Sequence, residues 1–153
     1  MTLPSTTHLV LIPSYNAGPR LARTVTEALQ YWNPVWVVID GSTDGSTADI
    51  TALAAHDPRV RVIVRPHNGG KGAAVATGVA AALAVGFTHV LTMDSDGQHP
   101  AAYIPGFMAA SLAQPAALVL GRPIFGPEVT LERLHGRKLS NGLARLEILS
   151  PGI

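Results

Sequence analysis

Short apolar runs rich in valine and isoleucine alternate along this chain with alanine-rich stretches, and only short connections separate them. The strand-like runs cover residues 8–12, 35–39, 60–64, 88–93 and 117–120. The helical patterns begin near residues 16–18, 46, 70 and 100, with another over 131–149. Strands and helices that alternate with short loops favour a mostly parallel sheet flanked by helices. The sequence therefore predicts an α/β fold.

Three local patterns refine this prediction. In the third run the charged Arg61 stands between two valines, and this alternation predicts an edge strand or a half-exposed face. Ser46 precedes a helical pattern and is a candidate N-cap, and Pro100 suits the first position of the next helix. Residues 70–86 are mostly small, so their helix can pack closely against the sheet.

Composition restricts the class of protein. With 153 residues, 47% of them apolar and 14% charged, the chain suits one folded domain over residues 1–153. A net charge of +1 and an aromatic content of 5% argue against a nucleic-acid partner. The chain has no cysteine and no apolar run of the ~18 residues that span a bilayer. We therefore expect a cytoplasmic protein without a signal peptide or transmembrane segment.

Polar clusters follow four of the predicted strands. They cover residues 13–16, 40–44, 65–68 and 94–98. Parallel α/β sheets bind ligands at the carboxyl ends of their strands. Four clusters at the same edge of one sheet predict a single binding site there.

The segment Met93–Pro100, with the sequence MDSDGQHP, suggests a metal site. Asp94 and Asp96 repel each other at the exit of a buried strand unless a cation joins them. In an extended segment Asp94, Asp96 and Gln98 share one face, and their hard oxygens suit Mg²⁺ or Mn²⁺. Because Mg²⁺ usually keeps only one or two protein carboxylates, the pattern implies a phosphorylated ligand. The alternative is a solvated turn in which Asp94 caps the helix at Pro100.

Two glycine-containing loops lead into helices. Residues 40–45 form a turn whose backbone N–H groups can meet an anion or a ribose hydroxyl, although an ordinary cap explains them equally well. Lys71 lies in the first turn of a helix, where cations are disfavoured. We therefore expect an anionic partner, such as a phosphate or Asp40, with a plain surface lysine as the alternative.

Cationic side chains near the end of the chain could also meet a phosphate. Arg122 follows the fifth predicted strand, and Arg137 and Lys138 lie on the last predicted helix. For Arg137 and Lys138 a solvated helix face is the default. His99, beside the acidic pair, could orient a phosphate or a metal-bound water, or serve a structural role.

Four motifs in this order and spacing resemble glycosyltransferase family 2: IPSYN, DGSTDGST, NGGKGAA and MDSDGQHP. The similarity covers residues 8–122, and DGQHP is most similar to the polyprenyl-phosphate sugar transferase branch, including dolichyl-phosphate mannose synthases. The resemblance implies a Rossmann-like GT-A fold, a UDP- or GDP-linked sugar donor, an Mg²⁺ or Mn²⁺ cofactor and inverting transfer. Its usual acceptor, a polyprenyl phosphate, implies peripheral contact with a membrane at its cytoplasmic face.

The resemblance also implies roles for individual residues. Asp96 and Arg122 would be catalytic, and Asp94, Asp96 and Gln98 would hold the metal. The residues implied to bind the nucleotide sugar are Pro13, Tyr15, Asn16, Asp40, Ser42, Lys71, Asp94 and Arg137.

The chain departs from the family pattern at two positions and at its end. Ala17 stands where an acidic residue is frequent, and Ile39 replaces an aspartate that usually helps to read the base. The sequence stops at residues 150–153, directly after a predicted helix. We therefore expect a domain truncated before the acceptor-side part.

Other functions fit parts of the pattern. A truncated domain could bind a donor without complete catalytic machinery. A haloacid-dehalogenase-like phosphatase would use Asp94 as its nucleophile, but its signature has threonine where Gln98 stands and follows the first strand. A nucleotidyltransferase with a similar sheet would release pyrophosphate instead of a nucleoside diphosphate.

Overall fold

Four strands and four α-helices alternate along residues 4–121, which are the residues that the computed structural model describes. The strands are β1 His8–Ser14, β2 Val35–Asp40, β3 Val60–Arg65 and β4 His89–Thr92. The helices are α1 Arg20–Ala28, α2 Ser46–His56, α3 Lys71–Ala84 and α4 Ile104–Ala113, the last preceded by a 3₁₀ turn at Ala101–Tyr103.

The four strands form one parallel sheet in the order β3-β2-β1-β4. Every residue of β1 and β2 is buried, whereas in β3 only Val60 is buried and the other residues are partly or fully exposed. The predicted edge position of β3 is confirmed, and the Arg61 guanidinium carbon lies 4.4 Å from the ring centroid of Trp36 on β2. The predicted α/β class is confirmed as well.

Two apolar clusters cover the two faces of the sheet. Val10 and Ile12 belong to the first cluster, together with side chains from α1, α2 and α4. Leu9 and Leu11 belong to the second, which packs against α3. Gly78 of α3 lies so close to β1 that a Cβ atom there would be 2.5 Å from Leu11 Cδ1. The predicted close packing of this small-residue helix is therefore confirmed.

Three predicted details are wrong. Residues 117–120 do not form a strand, and the Leu118 and Leu120 side chains are 84% and 77% exposed. Strand propensity alone is weak, and none of the four described strands pairs with this run. Ser46 is the first residue of α2, and Gly45 stands at the N-cap position without a side-chain cap, so Ser46 is not the cap. The Ser46 N–H and Oγ–H donate to the Asp44 carboxylate at 3.1 and 2.6 Å. Pro100 is extended, and α4 begins only at Ile104.

Some predictions lie outside the described residues. These are the helix over 131–149 and the placement of Arg122, Arg137 and Lys138. The single domain over residues 1–153 also stays a prediction. Within residues 4–121, the helices are too short or too polar to cross a membrane.

Two histidines stack at the sheet edge where β1 and β4 begin. The rings of His8 and His89 are 4.2 Å apart and nearly parallel. His8 is buried, and its two ring nitrogens lie 2.9 Å from Thr7 Oγ1 and 3.1 Å from Ser111 Oγ. Burial and, second, the charge of His89 lower the pKa of His8 below its usual 6.5. The folded protein therefore favours a neutral His8.

We expect acid to destabilise the protein through His8. Because the unfolded chain binds this proton at a higher pH than the folded chain, the free energy of unfolding should fall as pH drops from about 7 to about 5. His8→Gln should flatten this dependence in urea unfolding curves measured at a series of pH values. The pKa values of Asp44 and Asp57 are lowered from their usual 3.8, so these carboxyl groups change the stability mainly below about pH 5, outside this window. Identical pH slopes for the two proteins would contradict the assignment.

Candidate functional site

An open pocket of about 340 Å³ lies where β1, β2 and β4 end and α3 begins. Its lining residues are Pro13, Ser14, Tyr15, Asp40, Asn68, Gly70, Lys71, Ala74, Asp94, Ser95 and Asp96. Six of the residues predicted for the site are among them: Pro13, Tyr15, Asp40, Lys71, Asp94 and Asp96. The four polar clusters thus contribute to a single pocket at the carboxyl ends of the strands.

Strand register explains how residues distant in sequence meet here. Pro13 is paired with Val38, and β2 continues from there to its last residue, Asp40. The β4 strand ends at Thr92, so the acidic segment leaves the sheet beside β1. Tyr15, directly after β1, is 51% exposed and offers an aromatic face to a ligand.

Hydrogen bonds join the loop after β1 to the loop after β2. The Asn16 N–H donates to Ser42 Oγ at 3.0 Å, and Asn16 Oδ1 accepts from the Thr43 N–H at 2.8 Å. The Gly18 N–H donates to Asp44 Oδ2 at 2.7 Å. Asn16 and Ser42 therefore hold two loops of the site together and do not line the pocket. Their direct contact with a nucleotide stays a prediction.

Asp40 is a buried carboxylate with two partners. It pairs with the Arg65 guanidinium and accepts the Gly69 N–H at 3.1 and 3.2 Å. Arg65 is in register with Asp40, since each is the last residue of its strand. Asp40 is thus not the partner of Lys71, and that predicted alternative is wrong. Instead, Asp40 fixes the loop that leads to α3.

Sequence reasoning did not assign Arg65 to the site, although its loop was noted. Its position at the end of a predicted strand, next to the strand that ends at Asp40, could have indicated that the two side chains meet. Ser14, Asn68 and Ser95 also line the pocket without having been assigned. Ala74 and Gly70 were missed too, because small residues at a helix start predict close packing as readily as a ligand.

Lys71 begins α3, and its Nζ pairs with Asp94 Oδ1. The predicted anionic partner of Lys71 is thus confirmed as a carboxylate. The backbone N–H of Asp94 donates to His99 Nδ1 at 3.2 Å, and His99 Nε2 lies 3.6 Å from Asp94 Oδ2. No side chain caps the 3₁₀ turn after Pro100, so the alternative in which Asp94 caps that helix is wrong.

The acidic segment is a turn, not the extended strand that the metal prediction assumed. Gly97 has a φ of +78°, and the Gln98 N–H donates to Asp96 Oδ1 at 2.9 Å. Gln98 does not line the pocket, so its place beside the two aspartates as a metal ligand stays a prediction. Among residues 4–121, no three His, Asp or Glu side chains are grouped to hold a metal.

The donor set nevertheless fits a divalent cation shared with a ligand. Asp94 and Asp96 both line the pocket, and they supply the hard oxygens that Mg²⁺ and Mn²⁺ prefer. Two protein carboxylates suffice for Mg²⁺ when substrate phosphates and water complete the coordination. The pocket thus combines these two acidic groups with the Arg65-paired Asp40, one lysine and an exposed tyrosine.

The chain belongs to glycosyl transferase family 2, whose family model matches residues 9–150. It is 36% identical over 99 residues to a polyprenol monophosphomannose synthase of Mycolicibacterium smegmatis, covering 63% of this chain and 37% of that protein. It is 34% identical over 113 residues to a dolichol-phosphate mannosyltransferase of Mycosarcoma maydis, covering 72% of this chain and 37% of the relative. The predicted family and its mannose-synthase-like branch are confirmed.

A solved structure shows the same fold. A mannosyltransferase from Pyrobaculum calidifontis, in complex with GDP-Man and Mn²⁺, matches 74% of this chain and 33% of its own with a TM-score of 0.55. The sequence identity is 21%, and the predicted GT-A fold is confirmed. The chain spans 37% of the length of each of the two mannosyl-transferring relatives above.

We expect Gly69→Ala to disturb the site through Arg65. A Cβ atom at Gly69 would lie 2.6 Å from Arg65 Nη2, so the guanidinium has to shift, and we expect the shift to weaken its pairing with Asp40. A buried carboxylate that loses its charged partner should lower the free energy of unfolding by about 1–3 kcal/mol in urea. Gly72→Ala is the matched control, because a Cβ atom there has no neighbour within 4 Å. Equal stability of the two variants would contradict this account.

Proposed function

We propose that this chain forms the donor-binding part of a glycosyltransferase that uses GDP-mannose, a divalent metal ion and a lipid-phosphate acceptor. The observation that carries the proposal is the presence of Lys71, Asp94 and Asp96 in one pocket at the ends of parallel strands. Membership of glycosyl transferase family 2 supports the reaction class. The mannosyl-transferring relatives and the neighbour crystallised with GDP-Man support mannose and GDP over UDP.

Each group in the pocket suits one part of such a donor. Tyr15, exposed at the pocket, can stack with the base. Lys71 at the start of α3 can approach the diphosphate, and backbone N–H groups at a helix N-terminus favour an anion. Asp94 and Asp96 are the residues that would hold Mg²⁺ or Mn²⁺ against the diphosphate.

The proposed reaction is a single displacement with inversion. An acceptor oxygen forms a bond to the anomeric carbon of the sugar, while the bond from that carbon to the diphosphate oxygen breaks. The electron pair remains on the nucleoside diphosphate, which leaves from the opposite face. Lys71 can stabilise the charge that grows on this leaving group. A bound metal ion would supply Lewis-acid stabilisation of the same oxygens.

A phosphate acceptor suits the groups that the pocket offers. A phosphate oxygen is already an anionic nucleophile and needs little help from a base, whereas a hydroxyl would need one. The names of the similar polyprenol- and dolichol-phosphate enzymes support a lipid phosphate. Such an acceptor would bring the protein to a membrane surface. The cytoplasmic location, and the roles of Arg122 and Arg137, stay predictions.

One alternative keeps a specific observation in its favour. Because the chain spans 37% of the length of those relatives, it could bind the donor without completing transfer. The phosphatase alternative is overturned by the family membership. The acidic segment also follows β4 instead of the first strand.

Replacement of Asp96 tests the proposal. Asp96→Asn should slow the release of GDP from GDP-mannose in the presence of Mn²⁺ and a polyprenyl phosphate by about 100-fold or more, because several kcal/mol of charge stabilisation would be lost. Coupled detection of GDP measures the rate. Asp49→Asn removes a comparable carboxylate from the exposed first turn of α2 and should leave the rate unchanged.

Three outcomes separate the alternatives. A rate in Asp96→Asn equal to the wild-type rate would refute the role of this carboxylate. Donor binding by the wild-type chain without GDP release would favour the donor-binding fragment. Absence of metal-dependent binding to both GDP-mannose and UDP-sugars would refute the proposed function itself.

A further inference from the structure

Lys71 forms an ion pair with Asp94, a carboxylate that the proposed function assigns to the metal ion. Its Nζ pairs with Asp94 Oδ1, and both residues line the pocket. His99 Nε2 lies 3.6 Å from the other Asp94 oxygen. A cation that approaches Asp94 in this arrangement meets a positive charge already in place. Lys71 is therefore placed to influence metal binding as well as phosphate binding.

The balance of charges in the pocket makes the Lys71–Asp94 pair important for the binding of both ligands. Three carboxylates line it, and Asp40 is already neutralised by Arg65. Asp94 and Asp96 remain, and Lys71 is the one cation among the lining residues that belong to positions 4–121. A diphosphate that enters alone is repelled by the two carboxylates. A divalent cation that enters alone has to compete with Lys71.

The lysine is held weakly enough to move. Its side chain is 63% exposed, and exposed ion pairs contribute little to stability. It is the first residue of α3, where the helix dipole disfavours a cation and favours a bound anion. A diphosphate at this helix start would offer Lys71 a stronger partner than Asp94. The flexible lysine stem allows its ammonium group to change partners without backbone movement.

We propose that Lys71 is an exchangeable counter-ion, an inference that rests on the proposed function. In the donor-free protein Lys71 neutralises Asp94, and on donor binding it transfers to the diphosphate and frees Asp94 for the metal ion. The nucleotide and the metal then each improve the binding of the other, because each favours the same exchange. Lys71 is thus a positioning residue for the metal through Asp94, in addition to its contact with the donor.

Calorimetry on the full 153-residue chain tests the exchange with Mn²⁺ alone, GDP alone, and GDP at saturating Mn²⁺. In Lys71→Met, Mn²⁺ alone should bind about tenfold more tightly and GDP alone more weakly, and the factor by which Mn²⁺ improves GDP binding should fall at least about fivefold. A merely structural lysine would not change the two affinities in opposite directions. Association of Mn²⁺ with GDP in solution is the same for every variant and cancels in the comparison.

Three further variants sharpen the test. Lys71→Arg keeps the charge and should retain most of the coupling. Asp94→Asn should improve the binding of GDP alone and abolish the gain from Mn²⁺, with Lys71 itself unchanged. Arg23→Met is the matched control, since it removes an exposed cation of α1 that pairs with Glu27, away from the pocket lining. It should leave all three affinities unchanged.

Failures of the two proposals are distinguishable. If the wild-type chain binds Mn²⁺ and GDP but Lys71→Met keeps the wild-type coupling, or weakens both ligands equally, the exchange is refuted and the proposed function stands. If the wild-type chain binds neither GDP nor UDP in the presence of Mn²⁺, both proposals are refuted.

Discussion

Parallel pairing of β1 with β2 and β4 is the constraint on which the rest of this structure depends. Because the strands run in the same direction, their carboxyl ends lie at one edge, and residues from positions 13 to 96 line one pocket. The central strands are wholly buried, so their register cannot slip without exposing apolar side chains. The rigid sheet leaves the chemistry to the loops that follow each strand.

Charge balance within those loops connects the fold to the proposed function. Each buried or crowded carboxylate of the site has a partner: Asp40 has Arg65, and Asp94 has Lys71. In the first pair the Asp40 side chain is buried and organises the loop before α3. In the second pair Lys71 is exposed and exchangeable. A donor diphosphate with a metal ion can replace the second pair without disturbing the first. The site thus separates a structural ion pair from a functional one.

The sequence allowed prediction of the α/β class, the GT-A fold and most pocket-lining residues, because strand ends and polar clusters are local signals. It did not predict which charges pair. Lys71 meets Asp94 instead of Asp40 because Arg65 is in register with Asp40, and register is a property of the assembled sheet. The metal prediction assumed that the alternating acidic residues are extended, whereas the segment forms a turn at Gly97, as the alternative had it, without Asp94 capping the next helix.

The location of the metal ion is the most direct test of the central claim that these loops form one metal-dependent donor site. Crystals grown with GDP-mannose and Mn²⁺, with anomalous diffraction data collected at the manganese edge, would reveal it. We predict a manganese peak within coordination distance of an Asp96 oxygen, with the diphosphate beside Lys71. A manganese peak away from the two aspartates, or a nucleotide bound outside this pocket, would contradict the account.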